Sequence, residues 1–120
     1  MKRPTKIKVA CFDINIIDFT SHEASLLARF GEFSALENHI KLDPAINKIK
    51  EVDTLLHELN HAIYWAYGID DEDKEERIVG TFATAWTQIF RDNPELLEFI
   101  KHNLETKRKR VQIKGIKKAN

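Results

Sequence analysis

The stretch from Thr54 to Trp65, TLLHELNHAIYW, constrains this chain most, because an apolar helix face and a polar motif share the same short segment. Apolar residues recur there with the helical period of 3.6 and form one broad face. His57 and His61 lie four residues apart on the opposite side of that helix. The segment is therefore predicted to rest on a hydrophobic core and to present both histidines to a cleft. The apolar face consists of Val52, Leu55, Leu56, Leu59, Ala62, Ile63 and Ala66.

Before this helix, the chain has the patterns of a small sheet. Residues 6–16, KIKVACFDINI, alternate polar and apolar side chains and predict one strand. One side of that strand would carry Ile7, Val9, Cys11 and Asp13. The segment EFSALENHIKLDP predicts two short strands around a turn near Glu37 and Asn38. Between these regions, residues 20–31 predict a short helix with a capping-box start and a terminal glycine, Gly31.

Three further signals predict where the helices in the second half of the chain begin and end. The main helix is predicted to begin near Asp53, with Asp53 and Thr54 as cap residues, and to end at Gly68. An acidic segment, DDEDKEER, then starts a second helix that runs through IVGTFATAWTQIF. Asn93 is predicted to cap a third helix, with Pro94 in its first turn. The predicted fold class is therefore α+β, with a small antiparallel or mixed sheet of about three strands and three main helices.

Length and charge predict one domain with a basic end. The 120 residues are enough for a single modest core. Net charge is zero, but residues 43–100 carry 5 basic and 13 acidic side chains, whereas residues 101–120 carry 8 and 1. We expect a single domain over residues 1–105 and a flexible basic tail over residues 106–120. One cysteine, no apolar leader and no apolar run of membrane-spanning length indicate a cytoplasmic protein.

The motif formed by His57, Glu58 and His61 has the spacing that one metal ion needs from two helical ligands. Imidazoles at positions i and i+4 lie about 40° apart, so both can reach one point. In such a site the metal lowers the pKa of a water molecule, and the neighbouring carboxylate takes its proton. The alternative is a pair of solvated histidines on an ordinary helix. The apolar context of the motif favours the metal site, with Zn2+ as the expected ion.

A zinc peptidase also needs a third protein ligand and an open fourth position. Candidates lie in the acidic start of the second helix. Glu75 is about 20° from Phe82 on a helical wheel, within an apolar stripe where a carboxylate needs a partner. Glu76 is the alternative, and Glu72 is a third candidate. Each of them could instead be exposed and stabilise the helix end.

Tyr64 lies about 20° from His57 on the same wheel, so its hydroxyl could stabilise an oxyanion in the cleft. The ordinary alternative is a side chain that only forms the wall of the helix. The residues assigned to the core are Trp65, Phe82 and Trp86. The histidines assigned to the surface, because they have no ligand-spaced partner, are His22, His39 and His102.

Residues 31–97 also resemble a known family. IKLDPAINKIKEVDTLLHELNHAIYWAYGID followed by EERIVGTFATAWTQIFRDNPEL is similar to the small zinc metallopeptidase-like proteins of bacteriophages, relatives of the ImmA/IrrE-type peptidases in the gluzincin-like group. The resemblance implies a minimal zincin-like fold with a sheet edge that holds an extended peptide. The implied site residues are His57, His61 and Glu75 or Glu76 as zinc ligands, and Glu58 as general base. The chain departs from the ImmA/IrrE pattern at the third ligand, because Glu76 precedes Phe82 by six residues instead of four.

Three functions are compatible with the sequence. The leading expectation is a zinc-dependent peptidase that acts on a protein or peptide, in the host cytoplasm if the chain is phage-encoded. The second is a non-catalytic zinc-stabilised interaction module, although Glu58 has no use in a purely structural site. In the third, the tail KRKRVQIKGIKK binds nucleic-acid phosphates, and a solvated basic end is the simpler alternative. No membrane contact is expected.

Overall fold

The computed structural model describes residues 2–27 and 29–105, which contain four strands and four helices. In chain order the elements are β1 (Lys6–Val9), β2 (Phe12–Asp18), α1 (Ser21–Leu27), β3 (Gly31–Ser34), β4 (His39–Leu42), α2 (Lys48–Ala66), α3 (Glu75–Asp92) and α4 (Pro94–Leu104). The predicted α+β class is confirmed, with a four-stranded mixed sheet where about three strands were expected. The basic tail, residues 106–120, lies outside the described residues, and so do the predictions made for it.

The sheet has the order β1-β2-β4-β3 and buries one face. β1 and β2 are antiparallel, β2 and β4 are parallel, and β4 and β3 are antiparallel. Helix α2 packs on the buried face, α4 packs on α2, and α3 lies against β1. The two edge strands are therefore β1 and β3. The buried residues of the sheet are Ile7, Val9, Ile14, Ile16, Ile40 and Leu42.

The first predicted strand is in fact a hairpin, because the chain turns back at Ala10 and Cys11. Ala10 has a left-handed backbone with φ of 56°. Side chains of cross-strand partners point to the same face of the sheet, and Ile7 is paired with Ile14. The two-residue turn therefore shifts the alternation of buried and exposed side chains by one position. Beyond the turn the buried face therefore continues with Ile14 instead of Asp13. The prediction that Cys11 and Asp13 share a side with Val9 is wrong, and both are exposed.

Helix α1 is shorter than the predicted range of residues 20–31. Its capping box is present: the Thr20 amide donates to Glu23 Oε1 at 2.9 Å, and the Glu23 amide donates to Thr20 Oγ1 at 3.1 Å. The Glu23 carboxylate also accepts a hydrogen bond from the Lys41 ammonium of β4. This hydrogen bond, together with the one from the Thr20 amide, lowers the pKa of Glu23 to about 2. The helix ends before Gly31, which begins β3 and is not a helix stop as predicted.

Helix α2 begins earlier than predicted. Its N-cap is Asn47, whose Oδ1 accepts a hydrogen bond from a first-turn amide at 2.8 Å. The predicted cap residues Asp53 and Thr54 lie inside the helix, because its charged first turn carries no apolar periodicity that would reveal the start. The predicted end is confirmed, since Gly68 has a left-handed backbone with φ of 64° directly after the C-cap.

Asn93, between α3 and α4, ties these helices to the outer edge of β1. Asn93 is the N-cap residue of α4, as predicted, but its side chain makes no capping hydrogen bond. Instead its Oδ1 accepts from the Lys8 amide and its Nδ2 donates to the Lys8 carbonyl, both at 3.0 Å. Gln88 extends the pairing, because its Oε1 accepts from the Ala10 amide at 2.8 Å and its Nε2 donates to the Lys8 carbonyl at 3.1 Å. Pro94 opens α4 as predicted. Side-chain amides therefore occupy this edge of the sheet.

Candidate metal centre

His57 and His61 are exposed on adjacent turns of α2, as predicted. Their Nε2 atoms lie 3.3 Å apart, and their ring planes meet at 73°. Two nitrogens bound at about 2.0–2.1 Å to one tetrahedral zinc ion are separated by about 3.3–3.4 Å. The imidazoles are therefore spaced as two ligands of one ion. In the absence of an ion, the same spacing suits a hydrogen bond between one ring N–H and the other ring nitrogen.

Glu58 is far more enclosed than the histidines beside it. The residue is only 7% exposed, because β3 lies against this part of α2. Within the described part of the chain, no group donates a hydrogen bond to the Glu58 carboxylate or forms an ion pair with it. Its carboxylate oxygens are not among the fully buried atoms without a partner, because Glu58 lines two cavities that open to solvent. The fold therefore gains no hydrogen bond and no ion pair from the Glu58 carboxylate within the described residues.

The close approach of β3 to α2 depends on Gly31. A Cβ atom at this position would lie 2.6 Å from Thr54 Cγ2 and 3.2 Å from Glu58 Cγ. Both contacts are shorter than ordinary van der Waals separations. The glycine therefore lets an edge strand lie directly over the helix face that carries Glu58.

Two cavities meet at Glu58. One, of about 520 Å³, extends past His61, and the other, of about 330 Å³, extends past His57. Arg29, Gly31 and Glu58 line both cavities. The result is a cleft that follows α2 on both sides of the Glu58 carboxylate and has the start of β3 as its opposite wall.

Aromatic side chains form one wall of the larger cavity. The Trp65 ring lies 4.4 Å from the Phe12 ring and 5.9 Å from the Phe33 ring, measured between centroids. Trp65 is nevertheless 38% exposed, so it is a cavity wall and not the core residue that was predicted. Tyr64 lines the same cavity, and its ring packs against Phe82 of α3 at 5.6 Å. Its position in the cleft agrees with the sequence analysis, and its role toward an oxyanion stays a prediction.

The structure does not bring the predicted third ligand to the histidines. Glu72, Glu75 and Glu76 are all exposed, the last two in the first turn of α3. Val79, one turn further, is 57% exposed, and the side chains that pack on the core begin at Phe82. The expectation that Glu75 sits within a buried stripe is therefore wrong, because the start of α3 extends past the packed body. Among the described residues, no group of three His, Cys, Asp or Glu side chains is placed to hold a metal ion.

The residues that β3 and the segment before it contribute to the cleft carry no motif in the sequence. They are Arg29, Phe30, Gly31, Glu32 and Phe33. The one signal that points to them is the hairpin predicted just before the HExxH helix, because a short hairpin and the helix that follows it commonly pack together. The wall of the cleft formed by α2 is recognisable from the sequence. The opposite wall is formed by β3 because the strand order places this strand at the edge of the sheet beside α2.

The class that the fold and the site define is a small α+β domain with a HExxH helix beside a sheet edge. A scan of protein-family models gives no match to this chain, and searches among curated proteins and solved structures give none either. The resemblance to ImmA/IrrE-type peptidases therefore stays a prediction. Across residues 2–27 and 29–105, no helix has both the length and the apolar character needed to cross a bilayer.

Replacing Gly31 with alanine is expected to lower the free energy of unfolding by about 1–3 kcal/mol, because the added methyl group overlaps Thr54 and displaces Glu58. Gly80→Ala is the matched control. A Cβ atom at Gly80 meets nothing within 4 Å, so alanine there is expected to stabilise α3 by about 0.5–1 kcal/mol. Urea unfolding measures both changes. Equal stability of the two variants would contradict the packing of β3 on α2.

Proposed function

We propose that this chain is a zinc-dependent metallopeptidase that hydrolyses a peptide bond of a protein or peptide substrate in the cleft between α2 and β3. The observation that carries the proposal is the enclosed and unpartnered carboxylate of Glu58 beside two imidazoles whose Nε2 atoms are 3.3 Å apart. A purely structural zinc site has no use for such a carboxylate, whereas a site of general acid–base catalysis requires one.

The donor set suits zinc, because imidazole nitrogens with one carboxylate are a common ligand set of catalytic zinc sites. His57 and His61 would hold the ion. Glu75 is the proposed third ligand and Glu76 the alternative, and either would have to move toward the histidines, because both are exposed and not grouped with them in this structure. The two helices meet at the ring pair of Tyr64 and Phe82, about two turns along α3 from Glu75. Zinc bound there would supply a Lewis acid that polarises the substrate carbonyl and lowers the pKa of a water molecule.

Glu58 is the proposed proton carrier. It would accept a proton from the attacking water and deliver it to the leaving amine. Its place at the junction of both cavities puts the carboxylate beside the middle of any substrate that lies along the cleft. Tyr64, in the larger cavity, would donate a hydrogen bond to the negative charge that develops on the carbonyl oxygen.

The two edges of the sheet differ in a way that supports a peptide substrate. Gln88 and Asn93 occupy the outer edge of β1. At β3, no hydrogen bond from the described residues reaches the backbone groups that face away from β4. An extended peptide can add to such an edge as a further strand, and the antiparallel arrangement is slightly the more stable. A peptide added to β3 would pass over Glu58.

The test of this function is metal-dependent hydrolysis. Purified protein is expected to retain zinc and to cleave a library of internally quenched peptides. A chelator is expected to abolish cleavage, and added zinc is expected to restore it. Zinc binding without cleavage of any peptide would favour the alternative of a non-catalytic zinc-stabilised interaction module. Absence of bound zinc at saturating supply would remove both functions.

A further inference from the structure

Arg29 differs from the other arginines of the described chain in having no carboxylate partner. The guanidinium nitrogens of Arg3 lie 2.7 Å from a carboxylate oxygen of Asp18 and 2.9 Å from one of Glu51. The corresponding nitrogen–oxygen distances are 2.7 Å for Arg77 and Asp73, and 3.1 Å for Arg91 and Asp92. Within residues 2–27 and 29–105, no carboxylate oxygen lies within ion-pair distance of the Arg29 guanidinium. Among the described arginines, the exposed guanidinium without a carboxylate partner is thus the one at the candidate active site.

The position of Arg29 gives this free guanidinium a specific use. It lines both cavities that meet at Glu58, two residues before the start of β3. The other cation of the smaller cavity, Lys50, has its ammonium 3.6 Å from Asp53 and 4.8 Å from the centre of the Phe30 ring. Among the described lysines and arginines that line the cleft, Arg29 is therefore the one without an ion-pair partner.

We propose that Arg29 binds a carboxylate of the substrate on the C-terminal side of the cleaved bond. This inference rests on the proposed peptidase function and names the substrate class that the cleft selects. A guanidinium offers two parallel N–H donors that match the two oxygens of a carboxylate. A peptide antiparallel to β3 runs from the Ser34 end toward the Gly31 end, so its C-terminal part reaches Arg29. The carboxylate belongs either to an acidic side chain or to the end of the peptide chain.

Matched peptides separate these two sources. One peptide sequence that the protein cleaves in the quenched library is resynthesised with Glu or Gln at the positions after the cleaved bond, and each version ends in a carboxylate or an amide. Wild-type protein is expected to cleave the preferred carboxylate version with a kcat/KM about tenfold above that of its neutral counterpart. A Glu–Gln difference that persists in amidated peptides identifies the side chain. A carboxylate–amide difference identifies the chain end.

Variants then show whether Arg29 causes the preference. Arg29→Gln is expected to abolish the tenfold difference between the carboxylate and the neutral peptides. Arg29→Glu is expected to favour peptides with Lys at the same positions. Arg91→Gln removes an equal charge from the exposed side of α3 and is expected to keep the wild-type preference.

The possible results separate this inference from the function on which it rests. Equal cleavage of all versions by wild-type protein would overturn the role of Arg29 and leave the peptidase intact. For a protein that cleaves nothing, binding of the same library is measured by fluorescence anisotropy. Arg29-dependent binding of carboxylate peptides would then overturn hydrolysis and keep the subsite. Binding that ignores both the carboxylate and Arg29 would overturn both proposals.

Discussion

Glu58→Gln is expected to lower kcat/KM for peptide hydrolysis by about 10²- to 10⁴-fold, the usual contribution of a general acid–base group. Glutamine has nearly the same size and keeps its place beneath Gly31, but its amide cannot accept the proton of the attacking water. Zinc content is expected to remain that of the wild type, because the two imidazoles are untouched. Steady-state cleavage of a library-derived peptide and metal analysis of the same sample measure both quantities.

The stability of this variant gives a second and independent result. The Glu58 carboxylate has no hydrogen-bond or ion-pair partner in the described chain, so its replacement by an amide of similar size breaks no such contact. Zinc-free Glu58→Gln is therefore expected to unfold at a Tm no lower than that of the zinc-free wild type, as is common where function opposes stability. A clearly lower Tm would show that Glu58 supports the fold. Glu98→Gln, on the exposed side of α4, is the control and is expected to change neither Tm nor kcat/KM.

His61→Ala is expected to weaken zinc binding by more than about 100-fold and to abolish hydrolysis. Even residues that only support a ligand change metal affinity by about 10- to 100-fold, and His61 is proposed as a ligand itself. The fold is expected to persist with a change in unfolding free energy within about 0.5 kcal/mol, because the imidazole is exposed. Competition with a zinc-sensitive dye measures the affinity, and circular dichroism checks the fold.

The matched control for this experiment is His22→Ala. His22 is exposed on α1, so its removal deletes an imidazole without changing α2. Zinc affinity and hydrolysis are expected to equal those of the wild type. Similar losses in both variants would mean that zinc binds at scattered histidines, and the HExxH centre would then lose its support.

Elements whose signals lie within a few neighbouring residues are predictable from this sequence. The apolar face of α2 repeats over several turns, and the glycine that ends α2 has the left-handed backbone that a glycine stop requires. The hairpin of β3 and β4 is likewise marked by Asn38, which takes a positive φ of 52° in the turn. In contrast, the turn after β1 uses Ala10 in a left-handed conformation, and alanine gives no signal for such a turn.

The shape of the cleft is not predictable from the same patterns, because it arises between segments that are distant in sequence. A helical wheel places Glu58 beside the histidines on the side predicted to face a cleft, but it does not show which segment forms the opposite wall. The structure covers Glu58 with β3, because this strand takes the edge of the sheet and Gly31 permits contact with the helix. Arg29 lines the cleft for the same reason, because it lies two residues before β3. The order of strands therefore determines which side chains meet the motif.

The amide of Asn93 pairs with Lys8 across 85 positions of the chain. β1 therefore leaves the ribosome long before its lateral partner exists, a delay of about 4–17 s at ordinary rates of synthesis. During that interval the outer backbone groups of β1 have no partner from α3 or α4, and an unpaired edge strand can pair with a strand of another chain. Completion of the α3–α4 corner covers the outer edge of β1, so Asn93, remote from the candidate metal centre, determines when this one edge of the sheet is no longer open to another chain.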